Sequence, residues 1–186
     1  MGGLRLPRIR CGWPLVTGGA VRPGEPGHAN RVREILSLPD TGVVFDVDGT
    51  LTDYSYGERH ALDELDFVDR AAADAVNIYD ESCRRIETIG SYIDGHGIGR
   101  VACLSMEATG RGEWKKEMLL RNYGIPPERV FLVDRTEDKP RILREISETL
   151  LDGMSRLVYV DDSVETLALV QRETDFLTAH PMIFMP

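Results

Sequence analysis

Residues 44–53 read Val44-Phe45-Asp46-Val47-Asp48-Gly49-Thr50-Leu51-Thr52-Asp53, an apolar run that leads into two aspartates and a glycine. Side chains two positions apart on an extended chain point to the same side, so Asp46 and Asp48 emerge together where a strand ends. Gly49 permits the turn that follows. Two like charges this close are unfavourable unless a cation joins them or one is protonated. The pair therefore predicts a divalent metal.

Short apolar runs of strand length alternate with helical patterns along the rest of the chain. The runs are 43–45, 101–104, 130–133 and 157–160, with 175–179 as a candidate fifth strand, and the helical patterns cover about 78–93, 113–123, 138–151 and 164–173. This alternation predicts a mostly parallel sheet covered on both faces. The expected fold class is α/β, a three-layer Rossmann-like parallel sheet. Reactive groups are then expected beyond the carboxyl ends of the strands.

The length of 186 residues suits one domain with a tail. Residues 1–38 hold six arginines against two glutamates, with seven glycines and four prolines, and predict an irregular or disordered basic tail before a domain at 39–186. An insert at about 53–77, after the first strand, predicts a minimal lid. Residues 53–81 hold nine acidic residues against two arginines, which indicates a solvated helix face or, alternatively, a lid that repels polyanions.

The overall charge and the apolar pattern restrict the partners. A net charge of −9 argues against attachment to nucleic acid or to an anionic membrane. No apolar run has the length needed to span a bilayer, and the first thirty residues lack a signal-peptide core. The three cysteines are odd in number and lack metal-ligand spacing, which favours reduced thiols. We expect a cytoplasmic protein with no membrane partner, and the oligomeric state stays open.

The other strand ends supply groups compatible with a phosphoryl site. One strand ends in Ser105, whose hydroxyl can hold a phosphoryl oxygen; Lys139 and Pro140 begin a helix after the next strand; and Asp161-Asp162 follows the run 157–160. The four aspartates face one lysine and leave three uncompensated negative charges, which Mg²⁺ with oxygen ligands would balance. Lys115 and Lys116 compete with Lys139 for this role, but they lie on an amphipathic helix and we expect them to be solvated.

Together, Asp46-Val47-Asp48-Gly49-Thr50, Ser105, Lys139-Pro140 and Asp161-Asp162 resemble the four ordered motifs of the haloacid dehalogenase (HAD) superfamily of phosphohydrolases. The resemblance covers residues 41 to about 175, with each motif at a strand end. A response-regulator receiver also carries acids and a lysine on a parallel sheet. There the paired acids come first and the lysine last, which is the opposite of the order found here.

The resemblance implies a role for each matched residue. Asp46 would be the nucleophile that forms an aspartyl-phosphate, and Asp48 the general acid and base. Ser105 and neighbouring backbone amides, including that of Met106, would bind the phosphoryl group together with Lys139, which would also orient Asp46. The Mg²⁺ ligands would be the Asp46 carboxylate, the Asp48 backbone carbonyl and one of the final pair, Asp162 being favoured and Asp161 second in line. The sequence leaves the order of those two open.

The resulting expectation is a Mg²⁺-dependent phosphatase acting on a phosphomonoester. A carboxylate at Asp48 is what the resemblance implies for phosphatases and phosphomutases rather than for dehalogenases. The acidic insert favours a small phosphorylated substrate. Two alternatives stay open: a polynucleotide-end or protein phosphatase, and a non-catalytic regulatory module that retains the fold.

Overall fold

The computed structural model describes residues 27–52, 77–80, 83–107 and 110–185. These residues contain five helices and five strands, interspersed with short 3₁₀ turns. In chain order the elements are α1 (His28–Leu36), β1 (Thr41–Phe45), α2 (Glu87–His96), β2 (Val101–Met106), α3 (Gly112–Tyr123), β3 (Val130–Val133), α4 (Lys139–Thr149), β4 (Arg156–Val160), α5 (Val164–Glu173) and β5 (Leu177–Ala179).

The five strands form one parallel sheet in the order β3-β2-β1-β4-β5. β1 is the central strand, and Val43 of β1 pairs with Val101 of β2 on one side and Val158 of β4 on the other. The end of β1 therefore lies between the ends of β2 and β4. This placement brings residues that are far apart in sequence to one edge of the sheet.

Alternating side chains of the sheet fill two separate cores, one on each face. Val43 and Phe45 pack with residues of α1, α2 and α3, whereas Val44 packs on the opposite face with residues of α4 and α5. All five residues of β1 are buried, as expected for a parallel strand covered on both faces. The predicted three-layer Rossmann-like α/β fold is confirmed, including the fifth strand.

The segment before α2 differs from the sequence prediction. A helix was expected from about residue 78, but α2 begins at Glu87. Ile78, Tyr79 and Cys83 are nevertheless buried. Residues 77–80 and 83–86 therefore pack against the core without belonging to a helix, and tertiary contacts override the local pattern. The other three predicted helices agree with α3, α4 and α5 to within two residues.

The amino-terminal boundary also needs correction. The predicted irregular tail at 1–38 is wrong for residues 28–36, which form α1. Val32 and Leu36, one helical turn apart, are buried in the core at 1% and 3% exposure, and the Tyr92 hydroxyl donates to the carbonyl of Leu36 at 2.9 Å. The folded unit thus begins before residue 39. Residues 1–26 and nearly all of the predicted lid at 53–77 lie outside the described residues.

Within the described part of the chain, no helix combines the length and apolar character needed to cross a membrane.

The burial of α1 predicts that Leu36→Ala lowers the free energy of unfolding by about 2–5 kcal/mol, because the substitution removes a buried side chain and leaves a cavity. Glu34→Ala on the exposed side of the same helix should change it by no more than about 0.5 kcal/mol. Urea unfolding followed by circular dichroism measures both. Equal stability of the two variants would show that α1 is not part of the folded unit.

Candidate active site

The loop after β1 is held in one shape by its own backbone. The N–H of Asp46 donates to the carbonyl of Val160 at 2.7 Å, which extends the sheet pairing by one residue. The carbonyl of Val47 then accepts from three successive backbone amides, those of residues 50, 51 and 52. Gly49 has φ +72°, a left-handed conformation that other residues adopt at a penalty. Asp46 and Asp48 therefore leave the sheet on a defined turn.

Lys139 joins the end of β1 to the end of β4. Its Nζ donates to Asp46 Oδ1 and to Asp161 Oδ2, both at 2.9 Å, and its side chain is 5% exposed. Burial alone would lower the pKa of Lys139, but attraction to the two carboxylates outweighs burial and raises it. Lys139 is the first residue of α4, preceded by Asp138 at the N-cap and followed by Pro140. Lys139 thus contacts the aspartates that follow β1 and β4, the two strand ends at which the sequence predicted acidic residues.

The two adjacent aspartates after β4 have different environments. Asp161 is buried and accepts three hydrogen bonds: from Lys139 and the Tyr159 hydroxyl (2.5 Å) at Oδ2, and from the Ser163 N–H (2.8 Å) at Oδ1. Burial raises the pKa of the Tyr159 hydroxyl, so it remains a donor. Asp162 is exposed and lies against Gly49. Both carboxylate oxygens of Asp161 are therefore hydrogen-bonded within the protein, while the side chain of Asp162 is exposed to solvent.

Three carboxylates come close enough to hold one metal ion. Asp46, Asp161 and Asp162 each offer a carboxylate oxygen, and these oxygens lie within 4.8 Å of one another. Burial raises the pKa of the Asp46 carboxyl to about 7, opposed by Lys139 and reinforced by Asp161. A cation beside Asp46 would favour its ionised form. The donor set, three carboxylates in a partly open cleft, is the hard oxygen type that Mg²⁺ prefers.

The carboxylate of Asp48 points to a different set of partners. Its Oδ2 accepts from Lys115 Nζ at 2.7 Å, and its Oδ1 accepts from the Tyr79 hydroxyl at 2.7 Å. Lys115 also donates to Ser105 Oγ at 3.1 Å and to the Met106 carbonyl at 2.8 Å. The prediction that Lys115 is solvated is wrong: its side chain is 1% exposed. Asp48, Ser105 and Lys115 form one hydrogen-bonded group.

A signal for Lys115 was present in the sequence. The buried residues of α3 are Lys115, Met118, Leu119 and Tyr123, which is the i, i+3, i+4 spacing of one helix face. Lys116, one position on, lies on another face and pairs with exposed Glu113 at 2.8 Å. A lysine on the apolar face of a helix is expected to be buried. It is then expected to pair with an anion, since an unpaired buried charge is strongly unfavourable. Tyr79 carries no comparable signal, because it lies in the non-helical segment before α2.

Ser105 lies at the end of its strand, as predicted from the sequence, and Met106 follows it. Ser105 is 1% exposed at the end of β2, and its hydroxyl lies 3.5 Å from Asp48 Oδ2. The Met106 side chain is exposed, while its carbonyl is held by Lys115. All residues that the four motifs singled out therefore converge on the carboxyl edge of the sheet, at the ends of β1, β2 and β4 and the start of α4.

Comparison with solved structures returns the HAD domain of effector protein Lem4 from Legionella pneumophila, at 13% sequence identity and a TM-score of 0.41, covering 77% of this chain and 86% of that one. No protein-family model and no curated protein matches the chain. A match at this identity does not establish a shared activity, so the functional proposal depends on the arrangement of the side chains.

The contact between Gly49 and Asp162 predicts a specific effect of Gly49→Ala. A Cβ at Gly49 would collide with the Asp162 carboxylate, so the variant should bind Mg²⁺ at least about tenfold more weakly, in addition to about 1 kcal/mol of backbone strain. Isothermal titration calorimetry with MgCl₂ measures the affinity.

Gly124→Ala is the matched control. Gly124 has φ +65° and nothing within 4 Å of an added Cβ, so it incurs the same backbone strain without touching Asp162. Equal Mg²⁺ affinities of the two variants would contradict the placement of Asp162 at the metal.

Proposed function

We propose that this chain is a Mg²⁺-dependent phosphatase of the HAD superfamily that hydrolyses a phosphomonoester through an aspartyl-phosphate on Asp46. The observation that carries the proposal is the buried Lys139 bridging Asp46 and Asp161 beside the open carboxylate of Asp162. A nucleophile, a cation and a metal-binding carboxylate are thereby brought to one point at the sheet edge.

The charges of the site support a divalent cation. Lys115 offsets the charge of Asp48 through a 2.7 Å ion pair, and the Glu107 carboxylate lies 3.9 Å from the same Nζ. Asp46, Asp161 and Asp162 then share the single charge of Lys139. Two negative charges remain when all three carboxylates are ionised, which matches one divalent ion. This excess is smaller than the three charges predicted from the sequence, because Lys115 was expected to be solvated and is instead buried against Asp48.

The residues that would hold Mg²⁺ are the carboxylates of Asp46 and Asp162 and the backbone carbonyl of Asp48. Asp161 would lie behind them, since both of its oxygens already accept hydrogen bonds from the protein. When bound, the ion would neutralise phosphate oxygens and keep Asp46 ionised near neutral pH. The remaining chemistry belongs to the side chains.

In the first step, a carboxylate oxygen of Asp46 attacks phosphorus, and the bond from phosphorus to the ester oxygen breaks. Asp48, two residues on, must carry a proton when the ester binds; it delivers that proton to the departing oxygen and is left as the carboxylate that pairs with Lys115. Lys139 uses two of its three N–H donors on Asp46 and Asp161, which leaves one for a phosphoryl oxygen. The Ser105 hydroxyl would bind another phosphoryl oxygen. The products are an alcohol and phospho-Asp46.

In the second step, water attacks the phosphorus of phospho-Asp46, and Asp48 takes its proton. The bond between phosphorus and the Asp46 oxygen breaks, which releases inorganic phosphate and restores the carboxylate. Phosphate monoesters hydrolyse so slowly unaided that enzymes accelerate them by up to about 10²¹-fold. Positioned charge and a covalent route together suit a reaction of this difficulty.

For the substrate we propose a small phosphomonoester, processed in the cytoplasm without a nucleic-acid or membrane partner. The support is the net charge of −9 and the acidic composition of residues 53–81, which disfavour a polyanion. A polynucleotide-end or protein phosphatase and a regulatory module are retained as outcomes of the test below.

The test is phosphate release from p-nitrophenyl phosphate and a panel of nucleotides, sugar phosphates, a phosphopeptide and a 3′-phosphorylated oligonucleotide. Wild type should be active with Mg²⁺ and inactive with EDTA. Asp46→Asn should lower kcat by at least about 10³-fold, since the covalent route is lost. Acid-quenched wild type should carry phosphate on the peptide that contains Asp46.

Asp152→Asn serves as the control, because Asp152 is exposed in the turn between α4 and β4, away from the site; its activity should equal that of wild type. A dominant rate on the oligonucleotide or the phosphopeptide would replace the small-substrate proposal. Absence of Mg²⁺-dependent release on the whole panel would favour the regulatory module.

A further inference from the structure

Lys115 is a second buried lysine at the site, on the opposite side of β1 from Lys139. Its Nζ donates three hydrogen bonds, to Asp48 Oδ2 (2.7 Å), Ser105 Oγ (3.1 Å) and the Met106 carbonyl (2.8 Å). An ammonium group has three N–H donors. All three are therefore used within the protein, whereas Lys139 retains one. Lys115 is not arranged to bind substrate.

The three bonds of Lys115 determine how Ser105 presents its hydroxyl. Ser105 Oγ accepts from Lys115, so the hydroxyl proton must point elsewhere. Its nearest described acceptor is Asp48 Oδ2, at the long distance of 3.5 Å. A phosphoryl oxygen at this strand end would be a better acceptor. Lys115 therefore orients Ser105 as a donor toward the substrate position.

Lys115 also fixes Asp48, whose side chain is 38% exposed. The two carboxylate oxygens are held from two different elements, Oδ2 by Lys115 on α3 and Oδ1 by the Tyr79 hydroxyl. Tyr79 in turn lies with its ring centroid 5.6 Å from Lys115 Nζ, within the range of a cation–π interaction. The partly exposed carboxylate is thus confined to one orientation.

We propose that Lys115 is a positioning residue that holds the proton-transferring carboxylate of Asp48 and the phosphate-binding hydroxyl of Ser105 at a fixed separation. This inference rests on the proposed phosphatase function. A group that delivers a proton must stay within hydrogen-bond reach of the leaving oxygen. Removal of Lys115 should therefore impair proton delivery more than it impairs the fold.

The experiment compares Lys115→Met with wild type on two esters, phenyl phosphate and p-nitrophenyl phosphate. Nitrophenolate leaves without needing a proton, whereas phenolate depends more on the general acid. We expect Lys115→Met to lower kcat/KM for phenyl phosphate on the order of 10²-fold or more. The fold-decrease in kcat/KM for p-nitrophenyl phosphate should be at least ten times smaller. Met keeps the length of the buried stem without the charge.

Two further variants separate positioning from folding. Lys116→Met changes the adjacent lysine, whose Nζ pairs with exposed Glu113, and should behave as wild type on both esters. Lys115→Met is also introduced into Asp48→Asn, in which the proton-transferring carboxylate is already absent. The loss of phenyl phosphate activity that Lys115→Met causes there should be at least tenfold smaller than the loss it causes in wild type. Thermal unfolding midpoints of all variants report on the fold.

Equal losses on the two esters, or the same loss with and without Asp48, would overturn the proposal and leave Lys115 a structural residue. If Lys115→Met does not fold, Lys115→Arg, which keeps the charge, takes its place. An equal loss of kcat/KM on both esters in Lys115→Arg would then overturn the proposal. If wild type itself releases no phosphate, the phosphatase function fails, and crystal structures of wild type and Lys115→Met decide this proposal separately. Displaced Asp48 and Ser105 side chains would support it, and unmoved ones would overturn it.

Discussion

The ion-paired contact of Lys139 with Asp46 and Asp161 is the interaction on which the remainder of the site depends. A buried ammonium group and buried carboxylates are each unfavourable alone, and each becomes tolerable only through the other. The contact also joins three elements, since Asp46 follows β1, Asp161 follows β4, and Lys139 begins α4. Because β1 pairs directly with β4, Asp46 and Asp161 follow neighbouring strand ends, and Lys139 lies between them.

The two buried lysines divide the acidic residues into two groups with different properties. Lys115 pairs with Asp48 at 2.7 Å and lies 3.9 Å from Glu107, and all three of its donors are used. Lys139 is outnumbered by Asp46, Asp161 and Asp162, and this group retains the charge and the open face that a cation needs. In the proposed mechanism, proton transfer would take place on the side of β1 that Lys115 occupies and metal binding on the side that Lys139 occupies. Neutralising every aspartate with a lysine would remove the reason to bind a metal.

The positions of residues at strand ends could be predicted from the sequence. The positions of residues that depend on packing between helices and the sheet could not. The β-branched runs predicted four strands and 175–179 was a candidate fifth, and the i, i+2 spacing of Asp46 and Asp48 indicated the candidate site. The burial of Lys115 was missed because one polar residue obscures an apolar helix face. The helix α1 was missed because the glycines and prolines of residues 1–27 set the composition of the whole 1–38 segment. Ile78, Tyr79 and Cys83 show helical spacing and are buried, but the described residues 77–80 and 83–86 do not belong to a helix.

The order of the strands has a consequence for synthesis of the chain. Lys139 follows Asp46 by 93 residues and Asp161 follows Lys139 by 22, while β4 supplies one whole side of the central strand. A nascent chain that has not yet released β4 from the ribosome has separate, hydrated aspartates and no shared ion. The three-aspartate cluster around Lys139 is therefore complete only after β4 and residues 161–162 have been synthesised.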